Sequence, residues 1–284
     1  MSIEQSSSRF ATVDGLRIHY HELGGENADA PALILLHGSG AGASGWSNYN
    51  RNAEFLAQNF RVIIPDLAGF GQSDMKPVDT PIPGWWAQSV MGLMDALGIA
   101  KAHFVGNSMG GMVTLKIALE APDRIDRMIL MGPGGGHPVT SIWPSPGIRN
   151  LVTAYEGEGI TAAKVKAFIS ECLYDQKLIT DELVEQRLKA AMDPRIMAQP
   201  PMRMGAAGMP EELWRDARLT RLPHETLIVW GREDRVLPLD TGMVLFKQIQ
   251  NAQLQVIPKC GHWVQWERAD LFNRITMSFL EGAQ

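Results

Sequence analysis

Short apolar runs recur along the chain, and helical patterns fill the gaps between them. Residues 32–36, 61–64, 102–105, 128–131, 226–230 and 254–257 are a few residues long and mostly continuous rather than alternating. That is the pattern of strands covered on both faces. Two earlier runs, 9–13 and 16–23, are split by Asp14-Gly15, a hairpin turn signal. Helical spacing follows at 85–97, after residue 108 (Met112, Leu115, Ile117 and Leu119 apolar), up to about Ile249, and at 269–280. Strand and helix alternate over most of the chain. This predicts an α/β fold whose sheet, eight strands in all, is mostly parallel and flanked by helices.

The alternation stops between residues 137 and 215. No strand pattern occurs there, and helix-like segments fall near 147–155, 161–174 and 180–192. Pro138, Pro144, Pro146, Pro200, Pro201 and Pro210 punctuate the stretch. The expected organisation is a core of residues 1–136 and 216–284, with 137–215 inserted as a helical lid over the strand ends. Met192, Met197, Met202, Met204 and Met209 crowd its last part. Methionine suits both a surface that moulds around a ligand and gap-filling in a helical core, so both readings stay open.

The composition narrows the functional class. A 284-residue chain with 45% hydrophobic and 20% charged residues can bury a sizeable core. Its net charge of −5, with no long basic run, speaks against nucleic-acid and anionic-membrane partners. Only two cysteines occur, Cys172 and Cys260, neither at metal-ligand spacing. A reducing compartment is expected, and the polar start without an apolar run points to the cytoplasm.

The chemistry centres on Gly106-Asn107-Ser108-Met109-Gly110. This matches the G-x-S-x-G nucleophile elbow, in which a serine sits on a sharp turn between a buried strand and a helix. Flanking glycines are needed because a Cβ would clash across that turn. A serine hydroxyl is a weak nucleophile at neutral pH and needs a base, which needs an orienting group. His262 follows the last strand and Asp234 the one before, both at carboxyl ends, where open α/β sheets place their sites. The order Ser108, Asp234, His262 is that of α/β-hydrolases. Glu233 and Asp240 are rival acids. Asp66 and Asp74 read as structural turn residues, His19 and His21 as a half-exposed strand face, and His103 and His224 as structural groups at strand starts. After the 32–36 run, His37-Gly38-Ser39-Gly40-Ala41-Gly42 resembles the loop that supplies one oxyanion-hole amide. The amides of Ser39 and Met109 are the candidate donors.

Together these motifs closely resemble the meta-cleavage product hydrolases: Leu36-His-Gly-Ser-Gly-Ala-Gly with Trp46-Ser-Asn48, Gly-Asn-Ser-Met-Gly-Gly, Met131-Gly-Pro-Gly-Gly, Trp230-Gly-Arg-Glu-Asp-Arg and Cys260-Gly-His-Trp-Val-Gln-Trp-Glu267. The resemblance spans nearly the whole chain. It implies an α/β-hydrolase fold and cleavage of the C5–C6 bond of 2-hydroxy-6-oxo-6-substituted-hexa-2,4-dienoates. The dienol would first tautomerise to a keto form, and Ser108 or a water it activates would then attack the C6 ketone, the resemblance favouring Ser108 as covalent nucleophile. No metal or organic cofactor is required, because the substrate supplies its own electron sink. By its residues alone Arg187 reads as a solvated helix charge. The resemblance makes it the substrate-carboxylate partner, with Asn48, Asn107 and Trp263 as polar companions. Gly135, Cys172, Trp214, Val236 and Leu237, with Ile142, Leu151 and Leu213, are expected to wall the far end. Aryl-specific relatives often carry phenylalanine where this chain has Cys172 and Val236; the smaller residues here suggest more room or a different shape, so a bulky aryl or polycyclic C6 substituent is expected over methyl. Relatives are dimers or larger, which implies a homo-oligomer. A carboxylesterase or thioesterase using the same triad is the alternative reading, and a receptor that has lost catalysis is disfavoured by the intact serine, acid and histidine.

Overall fold

The computed structural model describes residues 2–26, 30–75, 82–136, 139–141, 143–200 and 211–282. Eight strands form one sheet: β1 (Ser8–Val13), β2 (Leu16–Leu23), β3 (Ala32–Leu36), β4 (Arg61–Pro65), β5 (Ala102–Asn107), β6 (Ile125–Met131), β7 (Thr226–Gly231) and β8 (Ala252–Ile257). Their order across the sheet is β1-β2-β4-β3-β5-β6-β7-β8. The β1–β2 and β2–β4 pairs are antiparallel and the rest parallel. Helices along the chain are α1 (Ile3–Ser7), α2 (Gly45–Tyr49), α3 (Ala53–Leu56), α4 (Ile82–Ala96), α5 (Met109–Glu120), α6 (Pro146–Val152), α7 (Ala162–Cys172), α8 (Asp181–Ala191), α9 (Pro194–Ala198), α10 (Leu239–Gln248), α11 (Val264–Glu267) and α12 (Ala269–Leu280).

Side chains of a strand alternate between faces, and the core divides accordingly. Ile34, Leu36, Phe104, Met128, Leu130, Ile228 and Trp230 join one apolar cluster with α4, α5 and α10. Leu33, Leu35, Val105, Ile129, Met131, Leu227 and Val229 join the other, with Tyr49, Leu56 and Phe272. β5 and β7 are buried throughout, whereas the edge strands β1 and β8 mix half-buried and exposed positions and bury only their last residue. Continuous runs therefore mark the middle of the sheet. The expected strands 128–131 and 254–257 fell short at their starts because Asp126, Arg127 and Gln253 are polar.

The stretch without strands carries α6 to α9. Its apolar side chains Leu151, Val165, Phe168, Ile169, Cys172 and Val184 belong to the same cluster as Val236 and Trp263, so these helices pack onto the loops at one end of the sheet. Met192 and Met197 are exposed, neither moulded around a cavity nor filling a core. Met202, Met204 and Met209 lie outside the described residues, as do Ile142, Pro138, Pro201 and Pro210. No helix among the described residues is long and apolar enough to cross a membrane.

One reading needs correction. His19 and His21 are buried, at 1% and 3% exposure, rather than half exposed. Helix α1 and the Trp46 ring cover that face: Ser7 Oγ lies 2.9 Å from His21 Nδ1 and the Trp46 ring 4.7 Å from the His21 ring. Burial, then the neighbouring His19, draws the His21 pKa from 6.5 down to about 4. The unfolded chain binds a proton there between those values and the fold does not, so stability falls as pH drops from 6.5 to about 4. Urea unfolding at stepped pH checks this. The advantage of the wild type over His21→Gln should shrink across that window. Parallel curves would refute it.

Candidate active site

Ser108 joins β5 to α5 with φ 53° and ψ −113°, a backbone geometry rarely adopted by a residue with a side chain. Three hydrogen bonds hold it there. Its N–H donates to Met131 O at 2.8 Å, and its carbonyl accepts from Met112 N at 3.0 Å and Gly134 N at 2.9 Å. The chain reverses so tightly that a Cβ on Gly106 would meet the Gly110 carbonyl, and one on Gly110 the Leu36 carbonyl. Glycine at both positions is thus a consequence of backbone approach.

Asp234 and His262 follow β7 and β8. His262 Nδ1 lies 2.7 Å from Asp234 Oδ2, and both side chains are buried. The second carboxylate oxygen accepts the amides of Val236 at 2.8 Å and Leu237 at 2.9 Å. The carboxylate is therefore fixed on both sides and can orient the imidazole. Gly132 lies beneath the pair: a Cβ there would approach His262 Nδ1 to 3.1 Å and Asp234 Oδ2 to 3.2 Å. The rival acids are engaged elsewhere. Glu233 pairs with Arg232 and accepts from Cys260 N. Asp240 accepts from Val139 N, Thr140 N, Thr140 Oγ1 and Thr241 N. No hydrogen bond links Ser108 Oγ to His262 among the described residues. Asn107 ties the two loops instead, its Nδ2 donating to Met131 O at 3.4 Å and His262 O at 3.3 Å.

The glycine loop after β3 lies against the elbow, Gly38 facing Asn107 Oδ1 and Ser108 Cβ. The amides of Ser39 and Met109 donate no hydrogen bond among the described residues. Met109 opens α5, where the first N–H groups of a helix are without internal partners. Asn48 is more constrained than a free pocket residue: its Oδ1 accepts from Gly38 N at 3.2 Å and its Nδ2 donates to Ser44 O at 3.2 Å. It shapes the loop.

Arg187 is not a solvated helix charge. It is 4% exposed, with its guanidinium 5.2 Å from the Trp263 ring. One Nη1 bond reaches Ser47 Oγ at 2.6 Å, while Nε and Nη2 are buried and have no hydrogen-bond partner among the described residues. Burial draws its pKa down to about 10, so it stays charged at neutral pH. A buried cation with unpaired donors is costly unless an anion meets it. Asn107 Oδ1 and Trp214 Nε1 are likewise buried and unpartnered.

Gly135, Cys172, Trp214, Val236 and Leu237 lie together at this end of the sheet. Gly135 O accepts from Trp214 N at 3.3 Å, and Cys172 O accepts from His262 N at 2.7 Å. The four side chains, with Leu151 and Leu213, share the cluster that contains Trp263. Sequence reading passed over Ser47, the hydroxyl that holds Arg187, and Phe168, whose ring packs against Gly40 and stands 6.3 Å from Trp263. Phe168 had a signal: with Val165, Ile169 and Cys172 it forms the apolar stripe of α7. Among the described residues no three His, Cys, Asp or Glu side chains gather as metal ligands.

The sheet order, the strained serine and the buried carboxylate–imidazole pair define an α/β-hydrolase, and the family model described as the alpha/beta hydrolase fold matches residues 31–269. The chain is 42% identical to a 2-hydroxy-6-oxo-6-phenylhexa-2,4-dienoate hydrolase of Burkholderia cepacia, over 98% of this chain and 97% of the relative. Identity and coverage are the same for a 2-hydroxy-6-oxononadienedioate/2-hydroxy-6-oxononatrienedioate hydrolase of Comamonas testosteroni. Among solved structures, a meta-cleavage product hydrolase from Pseudomonas fluorescens IP01 superposes with a TM-score of 0.85 at 33% identity, covering 97% of this chain and 98% of that one. The chain belongs to the meta-cleavage product hydrolases of the α/β-hydrolase superfamily, and it is a hydrolase of carbon–carbon bonds.

The glycine requirement can be tested without any substrate. Gly110→Ala should destabilise the fold by about 3 kcal/mol or more, read as a lower urea midpoint, because neither β3 nor the elbow can retreat. A midpoint within ~0.5 kcal/mol of wild type would contradict the close approach seen here.

Proposed function

We propose that this enzyme cleaves the C5–C6 bond of 2-hydroxy-6-oxo-6-substituted-hexa-2,4-dienoates, with Ser108, His262 and Asp234 as its triad. The observation that carries the reading is Arg187, buried beside the serine end of the sheet with two nitrogens, Nε and Nη2, that have no hydrogen-bond partner among the described residues. A guanidinium so placed suits a planar carboxylate with an adjacent oxygen. A simple ester would leave it unmatched.

Tautomerisation of the bound dienol to its keto form turns the C5 side into a leaving group stabilised by the 2-oxo acid. His262 takes the proton of Ser108 Oγ as the oxygen attacks C6, and Asp234 steadies the imidazolium. The Ser39 and Met109 amides receive the oxyanion. The C5–C6 electron pair then becomes the C4=C5 double bond, the C3=C4 pair shifts to C2=C3, and the 2-oxo oxygen takes up the proton held by His262, releasing a 2-hydroxypenta-2,4-dienoate. Water, deprotonated by His262, hydrolyses the acyl-serine to the carboxylic acid. In this reading Asn48 and Asn107 shape the polar end and Trp263 flanks Arg187. Residues 137–215 act as the lid that keeps water from the intermediate.

The far wall favours a bulky C6 group. Cys172 and Val236 are small side chains for positions on this wall, so we infer an aryl or polycyclic substituent over methyl. The reaction is placed in the cytoplasm of a cell degrading aromatic compounds, with the working form a homo-oligomer.

Four outcomes test this. The 6-phenyl dienoate should lose its visible absorbance faster than the 6-methyl dienoate. Brisk hydrolysis of simple esters without cleavage of any dienoate would overturn the proposal. Ser108→Ala should bind the dienoate yet lose roughly 10³-fold or more in kcat. Arg187→Ala should lower kcat/KM for the dienoate roughly 10- to 100-fold and leave a neutral ester nearly unaffected; equal losses on both would indicate a folding role. Asp234→Asn should lose about 10⁴-fold in kcat, while Asp240→Asn stays near wild type; the reverse ranking would transfer the role to Asp240.

A further inference from the structure

The loop that presents His262 is suspended from groups outside it. Its four consecutive amides all donate away from the loop. Cys260 N reaches Glu233 Oε2 at 3.1 Å and Gly261 N reaches Glu267 Oε2 at 2.8 Å. His262 N and Trp263 N both reach Cys172 O, at 2.7 and 3.4 Å. Glu267 does more than close the loop. Its Oε2 also accepts from Tyr174 N at 3.2 Å, and its Oε1 from Asp175 N at 2.6 Å. Tyr174 and Asp175 follow directly after α7 and its terminal neighbour Leu173. One carboxylate therefore takes three backbone N–H bonds from two segments about ninety residues apart, counted from separations of 93 and 92.

We propose that Glu267 is a positioning residue for His262, its carboxylate clamping the histidine loop to the chain that leaves α7. The geometry leaves little slack. A Cβ on Gly261 would run into the Cys172 carbonyl and come within 3.1 Å of Leu173 Cα, so the two segments already touch at the glycine before the histidine. Above the contact the Cys172 carbonyl receives the histidine loop, and beside it Glu267 receives both the loop and the α7 exit. Bonds from N–H groups to a carboxylate are stronger than those to neutral acceptors. A small shift of the loop would lengthen the 2.7 Å bond between His262 and Asp234 and misdirect the imidazole toward Ser108.

The proposal rests on His262 acting as the base for Ser108. The test compares Glu267→Gln with wild type by kcat and KM on the 6-phenyl dienoate, and by the rate at which a fluorophosphonate labels Ser108. Glutamine keeps the size but has one acceptor oxygen and sets an NH₂ group against the amide donors. The expected result is a roughly 10- to 100-fold fall in kcat, an equal fall in labelling rate, and a KM within about threefold of wild type. A lower melting temperature with unchanged rates per labelled site would mean a purely structural role and overturn the clamp. Asp175→Pro gives an independent arm if the first variant folds poorly. It deletes the shortest of the three donors, at a φ of −83° that proline accepts, without touching Glu267. Its kcat should fall likewise relative to Asp175→Asn, and equality of the two overturns the clamp. His262→Ala is run alongside. Wild-type labelling in that variant overturns both the base assignment and the clamp, whereas an inactive His262→Ala beside an unimpaired Glu267→Gln overturns the clamp alone.

Discussion

A serine can stand above a parallel sheet only where the strand reverses into a helix with nothing between them. Here Gly106 and Gly110 bring β5 and α5 to contact distance, and Gly110 presses on the carbonyl of Leu36 in β3. That one steric constraint sets much of the rest. It holds Ser108 in a conformation costing on the order of 1–3 kcal/mol, secured through Met131 O on β6 and the Gly134 amide beyond it. It leaves the Met109 amide unpaired at the start of α5. It also brings the glycine loop after β3 against Ser108, so the amides of Ser39 and Met109 come from two backbone segments that meet at the elbow.

Around this point three of the four helices of the inserted stretch, α6, α7 and α8, are each fastened to a different segment of the core. Ser145, capping α6, donates to Val236 O at 2.5 Å in the acid loop. Helix α7 ends on the histidine loop through Cys172. Helix α8 reaches the glycine loop through Arg187, which bonds Ser47 and whose backbone carbonyl lies against Gly42. The packing of these helices and the alignment of the three loops are therefore not separable properties. A substitution in the helices that reshapes the wall also pulls on a catalytic loop, which couples specificity to rate.

The parts legible in the sequence were those that a period or a backbone constraint reveals. Buried strands wrote themselves as apolar runs, the elbow as paired glycines, and Asp234 and His262, which the fold pairs, as residues just past strand ends. Groups whose meaning depends on partners distant in sequence were not legible. His19 meets Asp66 at 2.7 Å, and that carboxylate also accepts Gly45 N at 2.7 Å and Gln72 N at 2.9 Å. Burial pushes the Asp66 carboxyl up, yet the His19 bond and these amides hold it below the ordinary range. The aspartate read as a turn residue is thus also the buried anchor of α2, which carries Ser47 and Asn48. Helices α2 and α11 are too short to show a period. Arg187 has the flanks of a surface residue, and only the fold shows it buried. The family resemblance singled it out before the fold showed it buried.

The claim on which everything turns is that Ser108 attacks C6 and carries the acyl group away. Quenched-flow mass spectrometry of the enzyme turning over the 6-phenyl dienoate measures this directly. The account predicts a benzoyl group on the peptide containing Ser108, appearing with release of the dienoate product and lost as benzoate forms. Turnover to both products with Ser108 unmodified at every time point would contradict it.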